Sequence, residues 1–264
     1  MDCRTQRQSA AFLWSDRGLF LGDRSETAVH AHDAVELSVA LDSLGLDVQD
    51  PQGPHLRSAQ AVLVRSSTTH RLTIHGPKVA VFYVDPRSAD GAGLERWLGS
   101  RTIAAAPPPV GQLRASLQGL FGRRTTLADG QRVCDELLAS ILPADHSRAR
   151  SKALDPRIEQ VKALVLQRLG DAPRRDELAA AVGLSESRLG HLFRAQMGLP
   201  LRRWILWMRL RSALDHALSG ASMTEAAFAA GFSDGAHFTR TCQQMFGLPP
   251  SEFAPVEGFF VDRS

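Results

Sequence analysis

The chain has 264 residues, 44% hydrophobic and 22% charged, which supports packed cores in one large or two ordinary domains and argues against wholesale disorder. No run of eighteen apolar residues excludes a spanning helix, and the opening MDCRTQRQSA has no apolar stretch, so no signal peptide is expected. Cys3, Cys134 and Cys242 are too widely spaced for a disulfide framework or a zinc ribbon and fit a reducing cytoplasm.

The net charge of +3 hides an asymmetry. From Arg148 to Arg211 there are 14 basic and 6 acidic residues, so that segment carries +8 and the remainder −5. Such a block points to a polyanion partner, or to a solvated basic surface.

The first hundred residues read as β structure. The runs 11–14, 19–22, 34–41, 60–65, 70–76 and 78–85 are short and rich in Val, Leu and aromatics. Turn formers at Ser15–Gly18, Asp50–Pro54 and Gly76-Pro77 separate them. Short strands at this spacing predict a sandwich or small barrel. Pro107-Pro108-Pro109 is a stiff break. After it Val110, Leu113, Leu117, Leu120 and Phe121, then Val133, Leu137, Leu138 and Ile141, recur at helical spacing. This predicts a helical hairpin joined through Gly122–Gly130, which packs on the β domain or against a second copy. Residues 143–154 read as a polar linker.

Beyond the linker the chain is helical. Asp155 with Pro156 forms a helix start, and Ile158, Val161, Val165 and Leu169 form one apolar stripe. Two segments then repeat approximately, 179–200 and 227–250. Ser185 matches Ser233, 48 residues on, while Gly198-Leu199-Pro200 matches Gly247-Leu248-Pro249, 49 residues on, so the second copy has one extra residue in its middle. Each copy reads as helix, glycine turn at Gly183 or Gly231, serine cap at Ser185 or Ser233, and second helix. Leu189, Leu192, Phe193 and Met197 are the buried set of the first copy. Phe238, Cys242, Met245 and Phe246 are that of the second. Between the copies, residues 201–218 form an unbroken helix with two apolar faces, Leu201, Trp204, Ile205 and Met208 on one, Trp207, Leu210, Leu214 and Leu218 on the other. With Arg202, Arg203, Arg209 and Arg211 also on it, full burial is disfavoured, and it reads as a strut between two helix-turn-helix units.

The last hundred residues resemble the AraC/XylS family of transcription regulators. The resemblance is carried by Leu178-Ala179, Gly183-Leu184-Ser185, Leu189, Phe193, Gly198, Arg209-Leu210 and Ala213. In the second half it is carried by Ala229-Ala230-Gly231-Phe232-Ser233, His237-Phe238, Arg240 and Gly247–Phe253. Cys242 departs from the family pattern, where Phe is usual, and reads as a smaller core residue. The resemblance implies a seven-helix domain whose two recognition helices enter successive major grooves roughly 34 Å apart. The residues it assigns to reading are Ser187, Arg188, His191 and Arg194 in the first helix and Gly235, Ala236, Thr239 and Arg240 in the second, with Glu186, Asp234 and Gln243 beside them. Arg202 and Arg209, and Arg174 and Arg175, are assigned to phosphates. With Gly235 and Ala236 at its start, the second helix is expected to read more by shape and methyl contact.

In the front domain His30, His32 and Glu36, all even-numbered, share one face if they lie on a strand, and His70 follows one or two strands later. Three imidazoles and a carboxylate suit a divalent metal such as Zn, Ni, Fe or Mn. The set resembles the cupin motif, although the glycine after the glutamate is displaced to Gly45 and the Pro and Gly usual before the second-motif histidine are missing. His55 and His75 read as surface residues.

The expected fold class is α+β multidomain. A cupin-like β-barrel (1–105) senses an effector, a helical hairpin (106–142) dimerises or transmits, a linker follows (143–154), and an all-α domain with two helix-turn-helix units (155–256) binds DNA. The expected function is a cytoplasmic, sequence-specific, effector-controlled transcription regulator, not an enzyme. Its expected partners are promoter DNA, a small-molecule or metal effector, RNA polymerase and a second copy of itself, and no membrane. The competing reading is a metal-dependent cupin enzyme with a DNA-binding appendage, its ligands being His30, His32, Glu36 and His70. A reactive-cysteine methyl acceptor is excluded by the scattered cysteines.

Overall fold

The computed structural model describes residues 9–23, 26–122, 124–143, 154–197, 199–247, 249–250 and 258–262. The expected linker, Gly198, Leu248, Ser251–Phe253 and Cys3 lie largely or wholly outside them. Among the described residues no helix is long and apolar enough to cross a membrane.

The front domain is built on two sheets. The larger contains β1 (Ala10–Leu13), β2 (Arg17–Gly22), β3 (Val35–Ala40), β6 (Ala61–Val64), β8 (Val79–Val84), β9 (Ile103–Ala105) and β10 (Gly258–Val261), in the order β10-β1-β2-β8-β3-β6-β9. The smaller orders β5 (His55–Ala59), β4 (Leu46–Gln49) and β7 (Arg71–Ile74) side by side. The sequence-predicted strands correspond to β1, β2, β3, β6, β7 and β8. Strands β4 and β5 escape the sequence pattern because they flank the turn at Asp50–Pro54 and face solvent on one side, which leaves too little apolar signal.

The large sheet is buried on both faces, and strand periodicity sorts its side chains. Ala11, Leu13, Phe20, Val62, Val64, Val79, Val81 and Tyr83 join Leu46, Val48, Leu72 and Ile74 of the small sheet, giving a flattened two-sheet barrel. Phe12, Leu19, Leu21, Val35, Leu37, Val39, Leu63 and Phe82 face a layer of helices. That layer comprises α1 (Ala89–Leu98), α2 (Pro108–Gln112), α3 (Arg114–Gly119) and α4 (Leu127–Ala139). The stripe Val110, Leu117, Leu120, Phe121, Val133, Leu137, Leu138 and Ile141 lies against the sheet. Of the two fates left open for the hairpin, packing on the β domain is the one that consumes this stripe. Thr126 and Asp129 form a capping box that starts α4.

The helical domain comprises α5 (Pro156–Gln167), α6 (Arg175–Ala181), α7 (Glu186–Met197), α8 (Leu201–Leu218), α9 (Met223–Ala229) and α10 (Gly235–Phe246). Asp155 caps α5 with Pro156 in its first turn, as predicted, and Ile158, Val161 and Val165 are buried. Gly183 and Gly231 take positive φ of 64° and 81° at the two helix-turn-helix corners, where a side chain is disfavoured. One expectation is corrected. The second recognition helix is capped by Asp234, which accepts the His237 amide at 2.6 Å, and the Ser233 hydroxyl instead donates to the Asp234 carboxylate. The extra residue therefore sits in the turn, and α7 and α10 are both 12 residues long.

A second finding concerns the end of the chain. Residues past the helical domain return to the front domain as β10, which pairs in parallel with β1 and stacks Phe260 on Phe12 at 4.6 Å. Only four residues long and separated from all other β structure in sequence, this strand carries no periodic signal of its own.

Candidate nucleic-acid interface and a histidine cluster at the domain seam

The strut α8 separates two environments. Trp204 and Met208 lie in the helical core, with Trp204 packed on Phe193 at 5.7 Å. Trp207 and Arg203 face the front domain. The Asp85 carboxylate, fully buried at the end of β8, accepts the Trp207 indole N–H at 2.5 Å and the Arg203 Nε at 2.6 Å. Arg203 also reaches Asp33 at 3.4 Å. Burial of the Arg203 side chain, against the expectation for the strut's arginines, follows from the apposed front domain rather than from the helical domain alone. Arg211 is buried as well.

The other side of α8 floors a cleft of about 770 Å³. Ser187, His191 and Arg194 of α7 line one wall, Arg202, Ile205 and Arg209 the floor, and His237, Thr241 and Gln244 of α10 the other wall, with Arg175 at the rim. Among its lining residues are four arginines and two histidines and no carboxylate. Arg209 is half-buried and donates Nε to the Leu169 carbonyl at 3.4 Å; burial pulls its guanidinium below the ordinary value, against the attraction of Asp171. Arg175 donates to the Glu186 carbonyl at 2.7 Å and so braces the start of α7.

Of the sequence-predicted reading residues, Ser187, Arg188, His191, Arg194, Ala236 and Arg240 are exposed, and Gly235 and Thr239 are half-buried. The structure brings Ser187, His191, Arg194, Arg202 and Arg209 to one cleft. It places Gly235, Ala236, Thr239 and Arg240 on α10 outside the cleft lining. Sequence reasoning gave His237 only as part of the family resemblance, with no site role, and did not name Thr241 or Gln244. For His237 the 49-residue offset between the starts of α7 and α10 was the signal, because it sets His237 at the place of Arg188. Thr241 and Gln244 fall at the places of Leu192 and Ala195, so the repeat gives them no polar counterpart to point to. Cys242 is buried in α10 and burial pushes its thiol well up, which suits a core residue and not a reactive one.

The four predicted ligand residues of the front domain do converge. His30, His32, Glu36 and His70 each offer a ligand atom within 4.8 Å of the others. The route differs from the expectation. Only Glu36 lies in β3, pointing between the sheets, while His30 forms an isolated bridge with His70 and His32 precedes the bend at Asp33-Ala34 that leads into the strand. The bridge to His70 and the bend at Asp33-Ala34, not alternation along one continuous strand, thus bring the two histidines to Glu36. His32 Nε2 lies 2.8 Å and His70 Nε2 3.3 Å from the Glu36 Oε2, and Ser38 donates to Oε1 at 2.6 Å. Burial alone would raise the Glu36 carboxyl, but hydrogen bonds from His32 and His70 and the charge of both hold it well below the usual range. Burial lowers His70 while bonding to Glu36 outweighs it and raises it; burial and His70 together lower His30.

Each imidazole is fixed from behind. The Nδ1 atoms of His30, His32 and His70 meet the carbonyls of Ala28, Ala34 and Thr68 at 2.9, 3.0 and 2.9 Å. A carbonyl only accepts, so Nδ1 carries a proton in each ring; Nε2 is the lone-pair nitrogen of the neutral imidazole, and a second proton there is what turns the His32 and His70 contacts to Glu36 into hydrogen bonds. Three such Nε2 lone pairs and a carboxylate in one buried place repel one another unless a proton or a cation lies among them. Backbone carbonyls on the distal ring nitrogens are also the usual support of metal-bound histidines. The residues present therefore fit a divalent transition metal. His55 and His75 share Asp47 at 3.9 and 2.9 Å on the exposed small sheet.

Two helix pairs turning on positive-φ glycines, joined by one strut, make a double helix-turn-helix domain. Residues 178–255 match the family model described as a helix-turn-helix domain. The chain is similar to the arabinose operon regulatory protein of Escherichia coli, 31% identical over 145 residues, or 51% of this chain and 49% of that protein. It is also similar to the Msm operon regulatory protein of Streptococcus mutans, 28% identical over 123 residues, 45% of this chain and 44% of that one. The chain thus spans less than half the length of these curated relatives. Among solved structures, ToxT from Vibrio cholerae overlays on 96% of the chain and 98% of its own at 14% identity and a TM-score of 0.44. An AraC-type transcriptional regulator from Chromobacterium violaceum covers 38% of this chain and 89% of its own at 27% identity and a TM-score of 0.36.

Proposed function

We propose that the protein is a sequence-specific DNA-binding transcription regulator whose front domain binds a small-molecule or metal effector. The observation that carries it is the pair of equal recognition helices flanking one cleft rich in arginine and free of lining carboxylates. In this reading Arg188, His191 and Arg194, and on the second helix Arg240 with Ala236 and Thr239, face base edges. Arg202 and Arg209 face the phosphates between the two grooves. The matched relatives named above are operon regulators, which supports this reading over a cupin enzyme with a DNA-binding appendage.

The test is a pull-down of fragmented genomic DNA by the purified chain near physiological salt, followed by sequencing. Enrichment of a motif with two elements one helical turn apart is the expected result. Retention of DNA without any sequence preference, with or without added metal, would overturn it.

A further inference from the structure

The histidine cluster does not lie in the middle of the front domain. It lies beneath the C-terminal end of the second recognition helix. Gly247, the left-handed cap of α10, is so close that a Cβ there would fall 2.3 Å from His30 Cδ2, 2.8 Å from His30 Nε2 and 3.1 Å from His32 Cδ2. Gln244, in the last turn of α10, accepts the Asp33 amide through its carbonyl at 2.7 Å and reaches the Asp33 carboxylate with its side chain at 3.3 Å. Asp33 directly follows His32. Phe246 packs on Tyr83 at 5.3 Å, and Tyr83 meets His32 edge-on at 5.3 Å. Three residues of one helix end thus touch the ligand set or its immediate neighbours.

We propose that a divalent transition metal held by His30, His32, Glu36 and His70 fixes the second recognition helix on the front domain, and so controls the protein's DNA binding. The proposal rests on the regulator reading and names its control. The ligands need fixed ring positions, and Gly247 packs on two of those rings, so the docked arrangement binds metal better than an undocked one. By linkage, the metal must then favour docking to the same extent. Docking leaves Arg188, His191, Arg194 and Arg240 exposed, so the metal-loaded protein is the form that holds both reading surfaces in place.

The experiment uses the full chain, stripped with a chelator and titrated with Co(II) and Zn(II). Visible Co(II) bands and one metal per chain are expected, and Glu36→Gln abolishes them. Amide exchange across 235–246 is expected to slow about tenfold on adding Zn(II), within the range typical of allosteric coupling. Gln244→Ala, a change at an exposed residue that is no ligand, is expected to weaken Zn(II) binding several-fold. Bound metal with unchanged exchange in α10 and unchanged affinity in Gln244→Ala would overturn the coupling, while salt-sensitive binding of genomic DNA by the same preparation would leave the regulator reading standing. Failure to bind metal at micromolar concentrations would overturn the proposal outright. Slower exchange on metal addition with no DNA binding in either state would sink the regulator reading, and control of DNA binding with it.

Discussion

The two helix-turn-helix units share a length, a glycine turn and a spacing, yet they sit in different surroundings. Among the described residues, the hydrogen bonds that join the domains come from the second unit and the strut. Gln244 binds Asp33, and Arg203 and Trp207 bind Asp85. The first unit presents α7 with Arg188, His191 and Arg194 to solvent. The second offers glycine and alanine at the start of its recognition helix and places the other end on the histidine cluster. In the proposed regulator, a repeat of one fold would thus serve two tasks: a hydrogen-bonding reader, and a reader whose placement is set from outside.

The largest effect that sharpens this contrast is expected at Asp85. It is fully buried and takes two donors from the strut. Asp85→Ala leaves the Arg203 guanidinium without its main partner, and removal of one member of a buried ion pair costs about 3–5 kcal/mol. Urea unfolding is expected to show that loss, with footprinting losing the half-element of the second unit before that of the first. Equal loss at both half-elements would mean that docking supports the whole helical domain and not one unit.

Next in size are the reading arginines. Arg188→Ala and Arg240→Ala are each expected to cost about 1–3 kcal/mol on the selected site and to relax discrimination at one position. Measured side by side on selected and scrambled DNA, uniform weakening would move either residue to the phosphate contacts. Arg209→Ala is expected to weaken all sequences alike and to flatten the salt slope by about one unit. Its Nε already engages the Leu169 carbonyl, so the contact to phosphate falls to the terminal nitrogens. An unchanged slope removes it from the phosphate set and leaves it as a brace for the turn at Gly231.

Legibility followed the period of the signal. The two apolar faces of α8 were readable because Leu201, Trp204, Ile205 and Met208 form one stripe and Trp207, Leu210 and Leu214 another on a single continuous helix. Which face met the front domain was not readable, because the decisive partners Asp85 and Asp33 lie more than a hundred residues away. The ligand set was readable as residue types at short spacing, although the strand geometry used to join His30 and His32 was wrong. The position of Gly247 over those rings was not, since a glycine's closeness to a distant imidazole leaves no local pattern. The strand β10 was invisible for the same reason: its partner β1 stands at the other end of the chain.

The smallest effect tests the offset between the units directly. Sequence alignment sets Ser185 against Ser233, but the structure moves the cap. In the first unit Ser185 accepts the Arg188 amide at 3.3 Å. In the second, Asp234 accepts the His237 amide, while the Ser233 hydroxyl buttresses that carboxylate at 3.0 Å, meets His237 Nδ1 at 3.2 Å and, among the described residues, touches no backbone amide of the helix start. The aspartate has its own advantage at a helix start, since a negative charge there faces the positive end of the helix dipole. Its carboxyl is held below the ordinary range, first by the His237 amide and then by the Ser233 hydroxyl. Ser185→Ala is therefore expected to cost about 1 kcal/mol, and Ser233→Ala no more than about 0.5 kcal/mol, the usual scale of a surface change. Thermal unfolding of the two variants reads the difference. Equal losses would return the cap of the second helix to Ser233 and put the extra residue inside the helix, where it would rotate Arg240 and Thr239 by about 100° relative to their counterparts in the first unit.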